Sequence, residues 1–312
     1  MAGLVQARSL PADGADWESS VAYLDGRYVA LNEAHVSLFD WGFTRSDVTY
    51  DVVHVWHGRF FRLADHIARF QASLAGLRLT VHLDGEGIAG VLGECVRRSG
   101  LRDAYVAMLC TRGRPRPGQP RLPSSCENRF MAYAVPWVNV IPPEVQERGA
   151  HLIISRVPRI APDSVDPTIK NYHWGDMTRA LFEVEDQGAD NAVLLDREGY
   201  VTEGPGFNVF AVIGGEVISP DRGALEGITR KSVMEICDEL GIPKRIRRLT
   251  GAELIAADEV FCATTAGGVM PASRIGATIL SNDRPGPIST RLRDRYWEKH
   301  AEGWHATPID YD

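Results

Sequence analysis

The sequence predicts an α/β (α+β) fold built from two domains, and three observations predict it. The chain has 312 residues, 44% of them hydrophobic, which is enough to bury more than one core. Short β-branched and aromatic runs alternate with stretches of helical periodicity along its length. Between the two halves lies Arg112-Gly113-Arg114-Pro115-Arg116-Pro117-Gly118-Gln119-Pro120, too rich in proline for the inside of an element.

In order, residues 21–31 and 52–59 read as short strands. Leu63, Ile67, Phe70 and Leu74 mark the buried face of a helix over about residues 63–75. His66 and Arg69, three apart, project off that face together, and Arg69 is either a solvated residue or a clamp on a phosphate. Residues 105–111 read as a strand, and 112–120 as a long surface loop whose arginines are more often solubilising than functional. Residues 130–140 read as a strand leading out, with Ile141-Pro142-Pro143 marking a linker. The expected division is a first domain of residues 1–135, a linker of 136–146 and a second domain of 147–312.

The second half carries the candidate chemistry. Lys170 lies in Thr168-Ile169-Lys170-Asn171-Tyr172-His173-Trp174-Gly175-Asp176 and is one of four lysines. Lys231, Lys244 and Lys299 sit in charged stretches that read as surface, whereas the neighbours of Lys170 are apolar, aromatic and uncharged as far as Asp176. Partial desolvation makes such an amine a nucleophile toward carbonyls, although a single odd lysine can equally be a snorkelling side chain. Glu203, in Thr202-Glu203-Gly204-Pro205-Gly206-Phe207-Asn208, precedes the buried strand 209–213, in a turn whose glycines allow close approach to a ligand. A carboxylate there can pair with a protonated ring nitrogen; it can also be an ordinary turn glutamate. Gly227-Ile228-Thr229-Arg230-Lys231 opens a helix whose buried face is Val233, Ile236, Cys237 and Leu240, and which Gly241 stops. Its N-terminus, with Thr229 as cap or first-turn residue, is a natural phosphate seat. Cys262-Ala263-Thr264-Thr265-Ala266-Gly267-Gly268, after the strand-like Glu259-Val260-Phe261, offers two hydroxyls to a phosphate or carboxylate.

Composition excludes other classes. A net charge of −7 without blocks of like charge gives no nucleic-acid or membrane signal. No stretch approaches 18 uninterrupted apolar residues, and the first twenty residues lack the apolar core of a signal peptide. Five dispersed cysteines without Cys-x-x-Cys spacing read as reduced, mostly buried thiols of a cytoplasmic protein. Nine histidines show no metal-ligand spacing, so no metal is expected.

Taken in order and spacing, these motifs resemble the fold-type IV, class IV pyridoxal-phosphate aminotransferases, most closely the (R)-selective amine transaminases. The resemblance runs from Ser46-Asp47-Val48-Thr49-Tyr50-Asp51-Val52-Val53-His54-Val55-Trp56 through Lys170-Asn171 and Trp174-Gly175-Asp176. It continues through Thr202-Glu203-Gly204, Gly227 to Lys231, Thr264 to Gly268 and Gly286-Pro287-Ile288. It implies a small N-terminal α/β sandwich domain, a larger C-terminal α/β pseudo-barrel domain and a homodimer. It implies pyridoxal 5′-phosphate as cofactor, with Lys170 forming the internal aldimine and carrying protons, and Glu203 on the pyridine nitrogen. Arg69, the N–H groups of Ile228 and Thr229, and the Thr265 hydroxyl would hold the phosphate.

The substrate pocket implied includes an aromatic wall of Tyr50, Tyr105 and Trp174, with Ala107, Thr264, Ala266 and two candidate carboxylate-binding arginines, Arg45 and Arg116. Three departures stand out. Tyr105-Val106-Ala107 occurs where branched-chain members carry Tyr-x-Arg and amine transaminases Phe-x-Glu. Arg45 replaces a usual His, and Pro205 a usual Ser or Thr. The expected reaction moves an amino group between an (R)-amine or amino acid and a keto acid such as pyruvate. The alternatives are a branched-chain or D-amino-acid aminotransferase, a lyase such as an aminodeoxychorismate lyase, and a non-enzymatic binding homologue, against which Lys170 with Glu203 argues.

Overall fold

The computed structural model describes residues 17–312, and part of the signal-peptide reading, on residues 1–16, lies outside them. Two sheets organise the described chain. The first contains β1 (Val21–Leu24), β2 (Arg27–Ala30), β3 (Val48–Trp56), β4 (Arg59–Phe61), β5 (Ala104–Pro115) and β6 (Cys126–Pro136). The second contains β7 (Ala150–Ile154), β8 (Asn191–Val193), β9 (Glu203–Gly204), β10 (Phe207–Ile213), β11 (Glu216–Ser219), β12 (Lys244–Ile246), β13 (Glu259–Thr264), β14 (Gly268–Ile275) and β15 (Thr278–Ile279). The last strand, β16 (Ala306–Pro308), returns to the first sheet and completes its order β16-β4-β3-β5-β6-β1-β2, antiparallel throughout. The second sheet is mixed, in the order β12-β11-β10-β13-β14-β7-β8, with β9 on β10 and β15 on β14. Its parallel pairs are β11 with β12, β14 with β7 and β7 with β8. This is the mixed α/β, two-sheet fold that the resemblance implied.

Helices α1 (Trp41–Arg45), α2 (Leu63–Leu77) and α3 (Gly85–Ser99) belong to the first half. The second half adds α4 (Pro143–Arg148), α5 (Gly175–Gln187), α6 (Ile228–Leu240), α7 (Gly251–Ile255) and α8 (Pro287–Ala301). Period-2 alternation in β3 explains the layering. Val53 and Val55 join Ile67, Phe70, Leu74, Ile88 and Leu92 in the core under α2 and α3. Tyr50 and Val52 point to the other side, with Tyr105 and Ala107 beside them. Helices α6 and α8 cover the second sheet through Val233, Ile236, Leu292 and Tyr296 against Phe210, Phe261 and Val269, while α5 packs Met177, Ala180 and Val184 on Ile153 and Leu194. The predicted stripe of α2 is buried, as are Val233, Ile236 and Cys237 of α6, whereas Leu240 is only half-buried; α6 ends at Gly241 with φ 64°, where a left-handed cap suits glycine.

Several element boundaries differ from the sequence expectation. Residues 21–31 form a hairpin rather than one strand, turning at Asp25-Gly26 with φ of 50° and 76°. The predicted loop 112–120 is partly strand. Arg112 is buried, donates to both carboxylate oxygens of Asp47 and to the carbonyls of Leu77 and Arg78, and so is not a solubilising residue. A register shift between Thr111 and Arg114 absorbs Gly113, after which the strand continues to Pro115. β6 begins at Cys126 and ends at Pro136, and Pro143, expected in a linker, opens α4. All five cysteines are buried and free, no helix among the described residues is long and apolar enough to cross a membrane, and no group of His, Cys, Asp and Glu among them could hold a metal ion.

Candidate active site

A cleft of about 980 Å³, counted to its open mouth, lies where β3 of the first sheet faces the ends of β9, β10 and β13 of the second. Lys170 enters it from a connection held against β3. Its carbonyl accepts from Tyr50 N at 3.2 Å and from Thr49 Oγ1 at 2.7 Å, so an edge of β3 fixes the lysine backbone. Its Nζ donates to Tyr50 Oη at 3.2 Å and stands 4.3 Å from the centre of that ring. Tyr172 stacks on Tyr50, with ring centres 4.2 Å apart. Lys231, Lys244 and Lys299 pair with Asp65, Asp238 and Glu239 and line no part of the cleft.

Glu203 sits in β9, which pairs with β10 rather than forming an open turn, and it is only 6% exposed. Its Oε1 accepts from Arg159 Nε at 3.1 Å and Nη2 at 3.0 Å, and its Oε2 from Leu225 N at 3.0 Å. A carboxylate accepts about four hydrogen bonds. Glu203 thus retains one acceptor position, on Oε2, at the cleft wall. Burial raises the Glu203 carboxyl above its ordinary range, while Arg159, the Leu225 N–H and Lys170 pull it down. Gly204 is required here, because a Cβ would lie 2.2 Å from the Phe207 ring and 2.5 Å from the Ala192 carbonyl.

Another part of the cleft wall presents a helix N-terminus and an arginine. α6 starts after Gly227 with no side chain capping it, and Gly227, Ile228 and Thr229 line the wall. Arg69, on α2, reaches this part of the wall and donates through Nη1 to the Glu226 carbonyl at 3.2 Å. Its Nε and Nη2 hold the two oxygens of Asp51 at 2.7 and 2.8 Å, and His66 Nδ1 contacts the same carboxylate at 2.8 Å. Burial works to raise Asp51, but Arg69 and His66 outweigh it and hold its carboxyl well below the usual range. The pairing of His66 with Arg69 on one helix face is therefore a shared grip on a β3 carboxylate.

Of the residues singled out in the sequence, eleven line the cleft together: Lys170, Arg69, Glu203, Ile228, Thr229 and Thr265, with Tyr50, Tyr105, Trp174, Thr264 and Ala266. Three do not. Ala107 is fully buried within the sheet beside Val52. Arg45 lies over the Trp41 ring at 3.4 Å, and Arg116 is exposed on the surface. Sequence reasoning missed Arg159, Asp176 and His54. Arg159 sits in Val157-Pro158-Arg159-Ile160-Ala161-Pro162, an apolar setting like the one that distinguished Lys170, so the same logic applied to arginine finds it. His54 donates from Nδ1 to the Thr265 carbonyl at 2.8 Å and supports that loop from β3.

A buried carboxylate and a lysine amine lining one cleft, with an uncapped helix N-terminus and an arginine on the same wall, fit a cofactor with a ring cation and a phosphate. The family profile described as "Amino-transferase class IV" matches residues 49–275. The chain belongs to the class IV aminotransferases. This aminotransferase is 32% identical over 277 residues to the "Putative branched-chain-amino-acid aminotransferase" of Methanocaldococcus jannaschii, covering 88% of this chain and 94% of the relative. It is 27% identical to the D-alanine aminotransferase of Bacillus licheniformis, over 86% of this chain and 93% of the other. Its fold superposes on the branched-chain amino acid aminotransferase of Thermobaculum terrenum in its PLP form with a TM-score of 0.82 and 27% identity, over 93% of this chain and 98% of that one. The cofactor of this aminotransferase is pyridoxal phosphate, and the residues of the cleft fit it.

Proposed function

We propose that this aminotransferase moves an amino group between an apolar (R)-amine or amino acid and a keto acid such as pyruvate. One observation carries the reading. Among the described residues the cations lining the cleft are Arg69, Arg159 and Lys170; Arg159 holds Glu203 and Asp176, and the proposed cofactor roles take up Arg69 and Lys170. What remains for a substrate is an apolar and aromatic wall, including Tyr105, Val138, Val140, Trp174 and Met177, which favours side chains without charge. The preference for the (R) hand follows from the resemblance alone.

In this reading Lys170 tethers the cofactor and carries the proton to and from the reacting carbon through Nζ. Tyr50 orients that amine. Glu203 receives the ring N–H at its open acceptor position, and Arg69 with the first N–H groups of α6 and the Thr265 hydroxyl holds the phosphate. When bound, pyridoxal phosphate supplies the electron sink for the bond broken at that carbon. Arg45 and Arg116 lie outside the cleft of the single chain, so a carboxylate-binding role for either requires its segment to swing inward or a second copy to present it. A homodimer belongs to the same proposal. Leu38, Phe39 and Phe43 are 74%, 78% and 68% exposed on one short segment, an apolar patch suited to a second copy.

A second reading, a branched-chain or D-amino-acid aminotransferase, has the support of the relatives. One substrate panel separates them: both enantiomers of an aryl alkyl amine, L-leucine and D-alanine, each with pyruvate and with 2-oxoglutarate as acceptor. Turnover of the (R)-amine above that of both amino acids supports the first reading. Turnover of an amino acid with none of either amine overturns it in favour of the second.

A further inference from the structure

Arg159 is held through all three nitrogens of its guanidinium. Its backbone N–H donates to the Leu195 carbonyl at 2.8 Å, which fixes where the side chain starts. Its Nη1 donates to Asp176 Oδ2 at 2.7 Å, while Nε and Nη2 both donate to Glu203 Oε1. Asp176, in the first turn of α5, is itself held by the N–H groups of Ile160 at 2.6 Å and Met177 at 2.9 Å. The guanidinium is therefore clamped at both ends, and its side chain is 7% exposed. Nothing in this arrangement lets Arg159 turn toward a substrate.

A ring nitrogen arriving at the open position of Glu203 shares one proton with that carboxylate. The proton can rest on the carboxyl oxygen, giving a neutral pair, or on the nitrogen, giving an ion pair. Burial favours the neutral pair, because it removes two charges from a site shielded from water. A fixed positive charge 3.0 to 3.1 Å from Oε1 opposes this, since it stabilises the ionised carboxylate more than it disfavours the more distant ring cation. Asp176 offsets part of that repulsion, because Glu203, Arg159 and Asp176 together carry one net negative charge.

We propose that Arg159 is the positioning residue that keeps this shared proton on the ring nitrogen rather than on Glu203. The proposal rests on the reading of Glu203 as the ring-nitrogen partner. Arg159 touches neither cofactor nor substrate in this role; it acts through the carboxylate. A purely structural Arg159 would affect stability without moving the proton, so the test reads the proton directly.

The full-length protein is reconstituted with pyridoxal phosphate carrying ¹⁵N in the ring, and the ring nitrogen shift is recorded by NMR at neutral pH. The wild type should show a protonated nitrogen. Arg159→Gln keeps a hydrogen-bond donor but removes the charge, and should show loss of the protonated signal. Arg159→Lys keeps the charge and should retain it, which preserves the test if the glutamine variant does not fold. Glu203→Gln should lose it as well. A protonated ring in Arg159→Gln, beside an unprotonated one in Glu203→Gln, overturns the role of Arg159 alone. An unprotonated ring in Arg159→Lys, in a folded protein, also overturns it. A protonated ring in Glu203→Gln overturns the underlying assignment of Glu203 instead.

Discussion

Glu203 and Arg69 both line the cleft, and in the proposed reading their surroundings give them different energetic duties. Glu203 is buried and committed to three donors, so its remaining capacity is a single directed contact. Glu203→Gln removes the charge while nearly preserving shape. It should lower turnover by orders of magnitude and cofactor affinity by less than about tenfold, a loss of transition-state rather than ground-state interaction. Arg69→Ala deletes a charge-assisted donor and strands the buried Asp51, so it should weaken cofactor retention by about 2–3 kcal/mol and also lower the melting temperature. Equilibrium binding of pyridoxal phosphate and turnover at saturating cofactor separate the two effects. Equal loss of affinity with unchanged turnover in both variants would defeat this division. The sequence brought together residues that the structure gathers in one cleft: a lone lysine in apolar company, a glutamate between glycine-bearing turns and a helix start with a hydroxyl in its first turn. What could not be read was partnership. Arg159 meets Glu203 across 44 residues and Asp51 meets Arg69 across 18, and no local pattern states such distances.

Elements were legible where periodicity is local and illegible where pairing is distant. α2 and α6 follow from stripes of apolar residues along a single helix. β5 does not, because its continuation to Pro115 depends on Cys126 and Glu127 opposite it, and proline composition alone argues for a loop. Gly113 makes the continuation possible, with φ 71° and a position where a Cβ would lie 1.8 Å from the Glu127 carbonyl oxygen. Gly113→Ala should therefore cost at least about 2 kcal/mol, from backbone strain together with the lost approach of the two strands. Chemical denaturation measures this. Stability within about 0.5 kcal/mol of wild type would mean that the strand end is not held as described.

At the scale of the whole molecule, a pair of buried histidines joins parts that are far apart in sequence. His54 of β3 meets His300 at the end of α8, with the two Nε2 atoms 3.1 Å apart, and Phe61, Trp137 and Trp297 surround them. Burial lowers both imidazoles, His300 to about 4 and His54 well below its ordinary value. A histidine whose folded value lies below its unfolded value contributes full stability above about pH 6.5. That contribution is lost as the pH falls from 6.5 toward 4, because the unfolded chain takes up the proton first. The melting temperature should thus fall steeply between pH 7 and 4.5, and His300→Gln should flatten the slope. An equally steep slope in the variant would assign the acid sensitivity to other groups.

The return of β16 to the first sheet has a consequence for the order in which a ribosome delivers the parts. β4 contributes three residues to the sheet edge and pairs outward only with Ala306–Pro308, some 245 residues downstream. Everything else in that sheet is available once Pro136 has emerged, yet its margin stays open while the whole second sheet is being made. An open strand margin is an invitation to wrong partners. A nascent chain halted after α8 should therefore bind chaperones and self-associate through β4 more than one halted after β16, although the two differ by only a handful of residues. The final residues of the described chain act as a clasp on the part that was made first.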